Sequence, residues 1–248
     1  ANVNVYMVKH MGAGLSNPPW SKKTFKGRVD TIKNLIIPKE DLATMNEKEI
    51  YDIIVERLYN SSSAYNIEKR YSYRLQDIHN LENVIYQCPS CLHEGLVAKK
   101  HELICPICNH KLTYDTYGLL NGRGIDEYFS DQEKRVQDAI SNSKDYHIEG
   151  KTRLMSFRRK RLIEVGEGIL SIHKDEYIYK GTIDGSYQEL KFHVRNTQSL
   201  PSDIGRNVQI YEQNQIYQFE MEIPWLPTKM VHVGEFLHTQ WKKNSIDL

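Results

Sequence analysis

The chain has 248 residues, of which 40% are hydrophobic and 26% charged, with 33 basic residues against 32 acidic ones. This composition is typical of a soluble globular protein with one large domain or two to three small ones, and it excludes an intrinsically disordered chain. The near-zero net charge excludes a protein that binds polyanions over its whole surface, but it leaves room for a local basic face. No run of about 18 apolar residues is present, so the sequence predicts no membrane-spanning helix.

The first 80 residues mix strands and helices. The stretch ANVNVYMVKHMGAG predicts a strand over residues 3–9 that runs into a glycine turn, and a second strand follows over 29–37 and ends before Pro38. A helix then begins after Thr44 or Asn46 and ends before the NSSS stretch at 60–63. One face of this helix carries its apolar side chains, Ile50, Ile53, Ile54 and Leu58. Because the chain opens within a strand and shows no signal peptide, we expect it to be a piece of a longer protein.

All the cysteines lie in the stretch CPSCLHEGLVAKKHELICPIC, residues 88–108. They form two C-P-x-C pairs that are separated by 13 residues: Cys88, Cys91, Cys105 and Cys108. Two such turns folded face to face place four thiolates around one Zn²⁺ ion, so the spacing predicts one structural zinc per chain. The residues between the pairs predict a hairpin that turns at Lys99–Lys100, and a third strand follows, as in a zinc ribbon over residues 81–118. The position after each pair often needs a positive φ, which Asn109 tolerates and Leu92 does not.

Other roles for the cysteines fit the sequence less well. A redox centre needs a C-x-x-C beside a βαβ pattern, and a disulfide scaffold is typical of secreted proteins. A catalytic zinc keeps an open coordination position, which four cysteines would fill. Nucleic-acid binding would favour a basic ribbon, but Glu94 and Glu102 offset Lys99, Lys100 and Lys111. A folding staple or a protein-contact module is therefore the favoured interpretation.

The remainder of the chain predicts a helical segment followed by a small β domain. Residues 119–150 are expected to form a helical linker, with Ser130 as N-cap and Glu133 completing a capping box. From residue 151 to 248 the pattern changes to short alternating strands, including a hairpin at Lys174–Asp175, and a helix follows Pro227. The inward face of that helix is predicted to carry five side chains, Met230, Val233, Phe236, Leu237 and Trp241. Strands capped by one helix resemble the pleckstrin-homology-like (PH-like) or GRAM-like β-barrel.

Four stretches follow one another in a characteristic order. They are VNVYMVKHMGAGLSNPPWS, the basic KKTFKGRV, IIPKEDLATMNEKEIYDIIVERL and VIYQCPSC…LICPICNHKLTYDTYGLL. This order resembles the C-terminal part of bacterial phospholipid/glycerol acyltransferases of the lysophosphatidate type, from residue 3 to about residue 121. The specific part is Y-x-C-P-x-C…C-x-x-C…Y-x-x-Y-G-x-L. The resemblance implies an α+β chain in which residues 1–80 are the tail of the acyltransferase α/β domain, ahead of the zinc ribbon, the linker and the barrel.

The resemblance also implies where the chemistry occurs. In that family an H-x₄-D motif supplies a His that takes the proton of the acceptor hydroxyl and an Asp that orients the His, while the hydroxyl attacks an acyl thioester. This motif belongs upstream of the matched stretches. One literal match, His110 and Asp115, occurs directly after Cys108, and with 10 His and 13 Asp in 248 residues about 0.5 matches are expected by chance. We interpret it as coincidence, assign no catalytic residue, and expect this chain alone to be inactive.

Two basic clusters are candidates for lipid binding. The stretch KTRLMSFRRKRL, residues 151–162, has six basic residues and no acidic one. Its candidate residues for anionic head groups are Arg158, Arg159, Lys160 and Arg161. The second cluster has Trp20 beside it and comprises Lys22, Lys23, Lys26 and Arg28. Either cluster has the alternative of being an ordinary solvated surface whose charges pair with nearby acidic residues.

The sequence therefore predicts the C-terminal part of a cytoplasmic, peripheral-membrane acyltransferase, with an anionic membrane surface as partner and an acyl donor for the parent enzyme. The isolated histidines His193, His232 and His238 have no ligand spacing and are expected to be ordinary side chains. The alternative is a non-enzymatic zinc-ribbon protein that binds nucleic acid or a protein partner. The acyl donor, the acceptor and the oligomeric state are not encoded in any recognisable pattern.

Overall fold

The computed structural model describes residues 3–158, 160–212 and 215–246. It is an α+β structure whose sheets are antiparallel, with one large sheet and a C-terminal helix. The chain divides into two compact units. Unit 1 comprises Ala1–Ile78, Lys99–Glu102 and Leu112–Glu127, and unit 2 comprises His79–Ala98, Leu103–Lys111 and Tyr128–Leu248.

Unit 1 is built on a two-stranded ribbon and short helices. Its elements in chain order are β1 (Val5–Met11), α1 (Ala13–Ser16), β2 (Asp30–Ile37), α2 (Lys39–Leu42), α3 (Glu47–Leu58) and α4 (Ser62–Lys69). The predicted start of α3 is confirmed, because the Asn46 side chain accepts from the Glu49 N–H and the Glu49 carboxylate accepts from the Asn46 N–H. The predicted inward face is only partly formed, since Leu58 is exposed and no residue of α3 is buried.

An aromatic cluster forms the interior of unit 1. Trp20, Phe25 and Tyr114 meet edge to face, with ring centroids 5.5–6.1 Å apart. The Tyr73 hydroxyl donates to the Arg28 carbonyl at 2.6 Å, and a Cβ at Gly27 would lie 2.1 Å from the Tyr73 ring. Glycine is therefore required where this ring packs on the backbone.

One face of the β1–β2 ribbon is apolar and exposed. Directly paired residues share a face, and Tyr6 pairs with Leu35 while Val8 pairs with Lys33. The side chains of Tyr6, Val8 and Leu35 are each about half exposed. The Lys33 ammonium lies 4.8 Å from the centre of the Tyr6 ring. This surface, the ribbon face, has no cover among the described residues.

Three short strands belong to the cysteine region. They are β3 (Val97–Lys99), β4 (Glu102–Ile104) and β5 (Lys111–Thr113), in the order β3-β4-β5. The predicted hairpin and third strand are therefore present, and Lys100 takes a left-handed φ of 57° at the turn.

Unit 2 contains a seven-stranded antiparallel sheet and two long helices. Its elements are α5 (Ile125–Asn142, whose first turn belongs to unit 1), β6 (Ile148–Arg158), β7 (Arg161–Ile172), β8 (Glu176–Ile183), β9 (Ser186–His193), β10 (Ser202–Asp203), β11 (Asn207–Glu212), β12 (Gln215–Met221) and α6 (Leu226–Ile246). The strand order is β10-β11-β12-β6-β7-β8-β9. The predicted hairpin turn at Lys174–Asp175 joins β7 to β8. The predicted turn at Gln213–Asn214 lies outside the described residues.

The core of unit 2 lies between one face of the sheet and α6. Tyr177 and Phe219 of the sheet and Met230 and Val233 of α6 are all fully buried. A Cβ at Gly234 would lie 2.6 Å from the Tyr177 hydroxyl, so α6 approaches the sheet closely at this point. Leu237 is also buried as predicted, and Phe236 is partly buried. Trp241 was predicted to face inward, but it is exposed.

The N-terminus predicted for α5 is wrong. Ser130 lies inside the helix, which begins at Ile125. The Gly124 N–H donates to the Glu127 carboxylate at 3.0 Å, and Asp126 and Glu127 place negative charge in the first turn. These interactions begin the helix more than one turn before the predicted capping box.

None of the described helices has both the length and the apolar character that crossing a membrane requires.

Candidate metal centre and basic surfaces

The four cysteines converge in unit 2. Their sulfur atoms all lie within 4.8 Å of one another. The Cys88 and Cys108 sulfurs are 3.6 Å apart, and those of Cys91 and Cys105 are 3.5 Å apart. These distances are far longer than the roughly 2.05 Å of a disulfide bond. The cysteines are therefore free thiols arranged as a cluster.

The two cysteine turns have the same backbone design. In the first turn the Cys88 N–H donates to the His93 carbonyl and the Leu92 N–H donates to the Cys88 carbonyl. In the second turn the Cys105 N–H donates to the His110 carbonyl and the Asn109 N–H donates to the Cys105 carbonyl.

The residue after each pair takes a left-handed conformation, as the sequence predicts. Leu92 has a φ of 62° and Asn109 a φ of 58°. Leucine is strained there by about 1 kcal/mol, so the first turn needs an external interaction to hold it.

The thiols interact electrostatically. Burial acts to raise the pKa of Cys105, but the N–H groups of Cys108 and Ile107 and the neighbouring thiols outweigh it and lower the pKa to about 6. At Cys91 the His93 N–H acts to lower the pKa, but the neighbouring thiols and burial raise it to about 12. One thiolate is thus favoured, and it opposes ionisation of the others. A cation is needed to ionise all four together.

The geometry of the cluster fits a metal ion. A tetrahedral site with metal–sulfur bonds of about 2.3 Å has sulfur–sulfur edges of about 3.8 Å, close to the spacing found here. Cys88 and Cys105 are buried, whereas Cys91 and Cys108 are exposed. These four residues could hold one metal ion, and they would leave no coordination position open for a substrate.

The first cysteine turn packs against α6. The Tyr86 ring stacks on Trp225 with centroids 5.4 Å apart, and the Trp225 Nε1 would lie 3.3 Å from a Cβ at Gly95. The Lys229 ammonium donates to both carboxylate oxygens of Glu94 at 2.8 and 2.9 Å. This ion pair is mostly shielded from water, which makes it stronger than a surface pair.

The segment before the cysteines is also bonded to α5. The Gln132 side chain accepts from the Gln87 N–H at 2.9 Å and donates to the Val84 carbonyl at 3.0 Å. Arg135 donates to the Gln87 side chain at 3.0 Å. The cysteine cluster is thus connected through residues 84–95 to both long helices of unit 2.

A buried polar group adjoins this connection. The His232 ring lies 4.5 Å from the Phe129 ring, and neither of its nitrogens has a hydrogen-bond partner among the residues that the structure describes. Within that same part of the chain, the nearby Tyr86 hydroxyl is also buried without a partner. Burial lowers the pKa of His232 to about 4, so the folded protein holds the neutral ring. No pattern in the sequence indicates this environment, because a lone histidine on an apolar helix face has no distinguishing neighbours.

The basic run of β6 and β7 ends at the tip of a hairpin. Arg158 pairs across the ladder with Arg161, and Lys160 has a φ of 64°. The Arg158 guanidinium makes two hydrogen bonds to the Asp184 carboxylate, at 2.9 and 2.5 Å. Lys160 and Arg161 are exposed, and Arg159 lies outside the described residues.

Two apolar side chains at this tip were missed. Phe157 is 61% exposed and Ile163 is 40% exposed, although both belong to strands. A sequence signal existed, because an apolar residue directly before a run of basic ones at a hairpin end has no core to enter. We call Phe157, Lys160, Arg161 and Ile163 the hairpin tip.

The second basic cluster lies on the surface of unit 1. Lys22, Lys23 and Lys26 are exposed in a loop, and Arg28 is bonded to Asp30 at 2.8 Å. The expected aromatic partner at the surface is absent, because Trp20 is buried in the aromatic cluster.

Both residues of the H-x₄-D match have hydrogen bonds that stabilise local turns. Asp115 accepts hydrogen bonds from the N–H groups of Tyr117 and Leu119 and thereby stabilises a turn. His110 accepts, through its carbonyl, the bond that closes the second cysteine turn.

In comparisons with protein-family models and with curated proteins, the sequence matches none of them.

Replacing Cys105 with Ser removes one of the four thiols that could hold a metal ion, so it should weaken metal binding and lower the unfolding temperature of unit 2 by roughly 10 °C or more, because metal binding contributes to folding. Trp225 fluorescence should change at the same time, since its stacking partner precedes Cys88 by two residues. Thermal unfolding followed by Trp emission, with metal analysis, measures both. Ser90→Ala, at an exposed position that offers no ligand, is the control and should behave as wild type. An unchanged unfolding temperature in C105S would contradict a structural metal.

His232 should make unit 2 sensitive to acid. Its folded pKa is lowered from 6.5 to about 4, so its contribution to stability is complete above about pH 6.5 and falls as the pH drops towards 4. Between about pH 7.5 and 5.5, wild type should lose about 1 kcal/mol more stability than His232→Phe or His232→Gln. Urea unfolding at the two pH values measures the difference. If both variants lose less stability than wild type between the two pH values, the difference comes from the titration of His232 and not from the polarity of the new side chain. If both variants lose as much stability as wild type, the prediction is wrong.

Proposed function

We propose that this chain is the C-terminal part of a membrane-associated phospholipid/glycerol acyltransferase, with a structural zinc site and a PH-like unit that meets an anionic membrane. The observation that carries the membrane role is the hairpin tip, where exposed Phe157 and Ile163 stand beside exposed Lys160 and Arg161. The motif order of the first 121 residues supports the acyltransferase parentage.

The ribbon face supports this parentage from a second direction. An isolated two-stranded ribbon is marginally stable, and Tyr6, Val8 and Leu35 are apolar side chains that a packed layer of a larger domain would cover. We propose that β1 and β2 complete the sheet of an acyltransferase domain. The acyl-transfer step would then use a His as base and an Asp to orient it, both on that domain, and this chain would supply the adjoining strands and loops.

The four-thiolate cluster supports zinc as the metal. Thiolate ligands in a tetrahedral arrangement are typical of Zn²⁺ or iron–sulfur sites, and the paired C-P-x-C spacing favours zinc. Zinc here would supply folding energy and fix the two cysteine turns. The stacking of Tyr86 on Trp225 and the ion pair of Glu94 with Lys229 would then hold α6 in a fixed position against the first cysteine turn.

The sheet of unit 2 supports the PH-like assignment. Seven consecutive strands form one antiparallel sheet in which the first strand, β6, lies beside the last, β12, and a long helix closes the chain. In the PH-like barrel that we propose, the β6–β7 hairpin would project beyond the core, since the pairing of β12 with β6 ends at Ser156. The basic run of the sequence falls on that projection.

The hairpin tip combines the two features that a membrane interface favours. Phe157 and Ile163 can enter the boundary between head groups and acyl chains, while Lys160 and Arg161 meet lipid phosphates at about 1 kcal/mol each. Arg158 would contribute less, because Asp184 neutralises it. The cluster of Lys22, Lys23 and Lys26 can add long-range attraction from unit 1.

The parentage is tested by reading the coding sequence upstream of Ala1. We expect an open frame that encodes H-x₄-D within a strand–helix pattern. An in-frame stop codon directly before residue 1 would contradict the acyltransferase assignment and favour the non-enzymatic zinc-ribbon protein.

The membrane role is tested by vesicle flotation with and without about 30 mol% phosphatidylserine. Lys160→Ala/Arg161→Ala should weaken binding to anionic vesicles roughly tenfold or more, and Phe157→Ser should weaken binding to both vesicle types. Arg158→Ala should have a smaller effect, because Asp184 already holds that charge.

Tyr51→Ser is the matched control for flotation, since Tyr51 is an exposed aromatic residue of α3, which belongs to unit 1 and not to the sheet that carries the hairpin tip. It should bind as wild type. Wild-type binding by both tip variants would refute the membrane role, and salt-sensitive retention on DNA or RNA in its place would favour the nucleic-acid alternative.

A further inference from the structure

Strand β9 forms one edge of the seven-stranded sheet. Its eight residues, Ser186–His193, pair with β8 without any shift in register. On its other side β9 has no strand partner within residues 3–158, 160–212 and 215–246. It contains no proline and no bulge, which are common devices that protect an edge strand from pairing.

The hydrogen bonds show which backbone groups of β9 point outwards. The Val194 N–H donates to the Asp175 carbonyl, which continues the β8–β9 register one pair beyond His193. In an antiparallel ladder the bonded pairs alternate, so Phe192, Leu190 and Gln188 also bond to β8.

The opposite strand gives the same alternation. The Asp184 N–H donates to the Val165 carbonyl of β7. The even-numbered residues of β8 therefore make their backbone hydrogen bonds to β7, and the odd-numbered residues of β8 make theirs to β9. The outward N–H and C=O groups of β9 therefore belong to its odd-numbered residues, Tyr187, Glu189, Lys191 and His193.

The side chains of these residues are also exposed. Tyr187 is 73% exposed, while Phe192, on the opposite face, is buried in the core of unit 2. Glu189 and Lys191 form a charged pair 3.2 Å apart on the outer face of the strand. The free edge thus presents a short sequence with an aromatic residue, an acid, a base and an imidazole in order.

We propose that β9 pairs antiparallel with β9 of a second copy of this chain, about a two-fold axis at Leu190. In this register Glu189 lies opposite Lys191 of the other copy, and Tyr187 lies opposite His193. Each of these pairs joins two residues whose backbone groups point outwards, so each exchanges two hydrogen bonds. The charges that discourage random edge pairing then become complementary.

Electrostatics selects this register over its neighbours. The two strands can form hydrogen bonds only in registers that place odd-numbered residues of one copy opposite odd-numbered residues of the other. The nearest alternative registers therefore have their two-fold axis at Glu189 or at Lys191. An axis at Glu189 places two Glu189 carboxylates opposite each other, and an axis at Lys191 places two Lys191 ammonium groups together. Directly opposed like charges destabilise an antiparallel pair. The axis at Leu190 instead brings two Leu190 side chains together on the other face.

Sedimentation velocity over about 1 to 200 µM tests the pairing on the whole chain. Wild type should associate to a dimer. Glu189→Lys or Lys191→Glu alone places like charges at both symmetry-related contacts and should weaken association about tenfold or more. The double variant Glu189→Lys/Lys191→Glu restores opposite charges and should recover most of the wild-type association. Thermal unfolding of each variant checks that the monomer fold is kept.

Hydrogen exchange by NMR supplies a residue-level measurement. The amides of Tyr187, Glu189, Lys191 and His193 should gain protection as the concentration rises. Those of Gln188, Leu190 and Phe192 should be protected at every concentration, because they bond to β8.

A chain that stays monomeric throughout the concentration range would overturn the proposal and leave the edge to a strand of another protein. A dimer that is insensitive to both single charge reversals, or that the double variant does not restore, would also overturn it, since association would then use another surface.

Discussion

The convergence of four sulfur atoms is the constraint on which the organisation of unit 2 depends. Two cysteine turns, 13 residues apart in sequence, bring these atoms within 4.8 Å, and one turn does so through a strained left-handed Leu92. Thiols at this spacing resist joint ionisation unless a cation is bound. The stacking of Tyr86 on Trp225 and the bonds of Gln132 extend the constraint to α6 and α5. We therefore regard the cluster as a staple that fixes the segment before the sheet, rather than as a reaction centre.

The proposed roles of the two units are complementary. Unit 1 has an exposed apolar ribbon face, which would be covered by a layer of the proposed catalytic domain, and unit 2 has an exposed hairpin tip, which fits the proposed lipid surface. Not every basic residue near the tip is available to a partner. Asp184 forms an ion pair with Arg158, whereas Lys160 and Arg161 are exposed. A second interaction surface at β9 would join two such chains without using the tip. An enzyme that acts on membrane lipids gains from both features, since two weak membrane contacts bind more strongly than one.

Local patterns in the sequence predicted much of the fold. Cysteine spacing predicted the cluster, and the candidate caps Thr44 and Asn46 predicted where α3 begins. The errors arose where tertiary contacts decide. Trp20 lies in a loop rich in turn formers yet packs into an aromatic cluster, and Trp241 follows the helical period yet is exposed and does not belong to the core of unit 2. Burial of His232 depends on Phe129, which is more than 100 residues away, so no local pattern could reveal it.

The central claim is that one zinc ion is bound by all four cysteines. X-ray absorption at the zinc edge of the purified chain tests it most directly. The account predicts one zinc per chain with four sulfur neighbours at about 2.3 Å and no nitrogen or oxygen bonded to the metal. Fewer than four sulfur neighbours, an oxygen from water among them, or a stably folded chain without metal would contradict it.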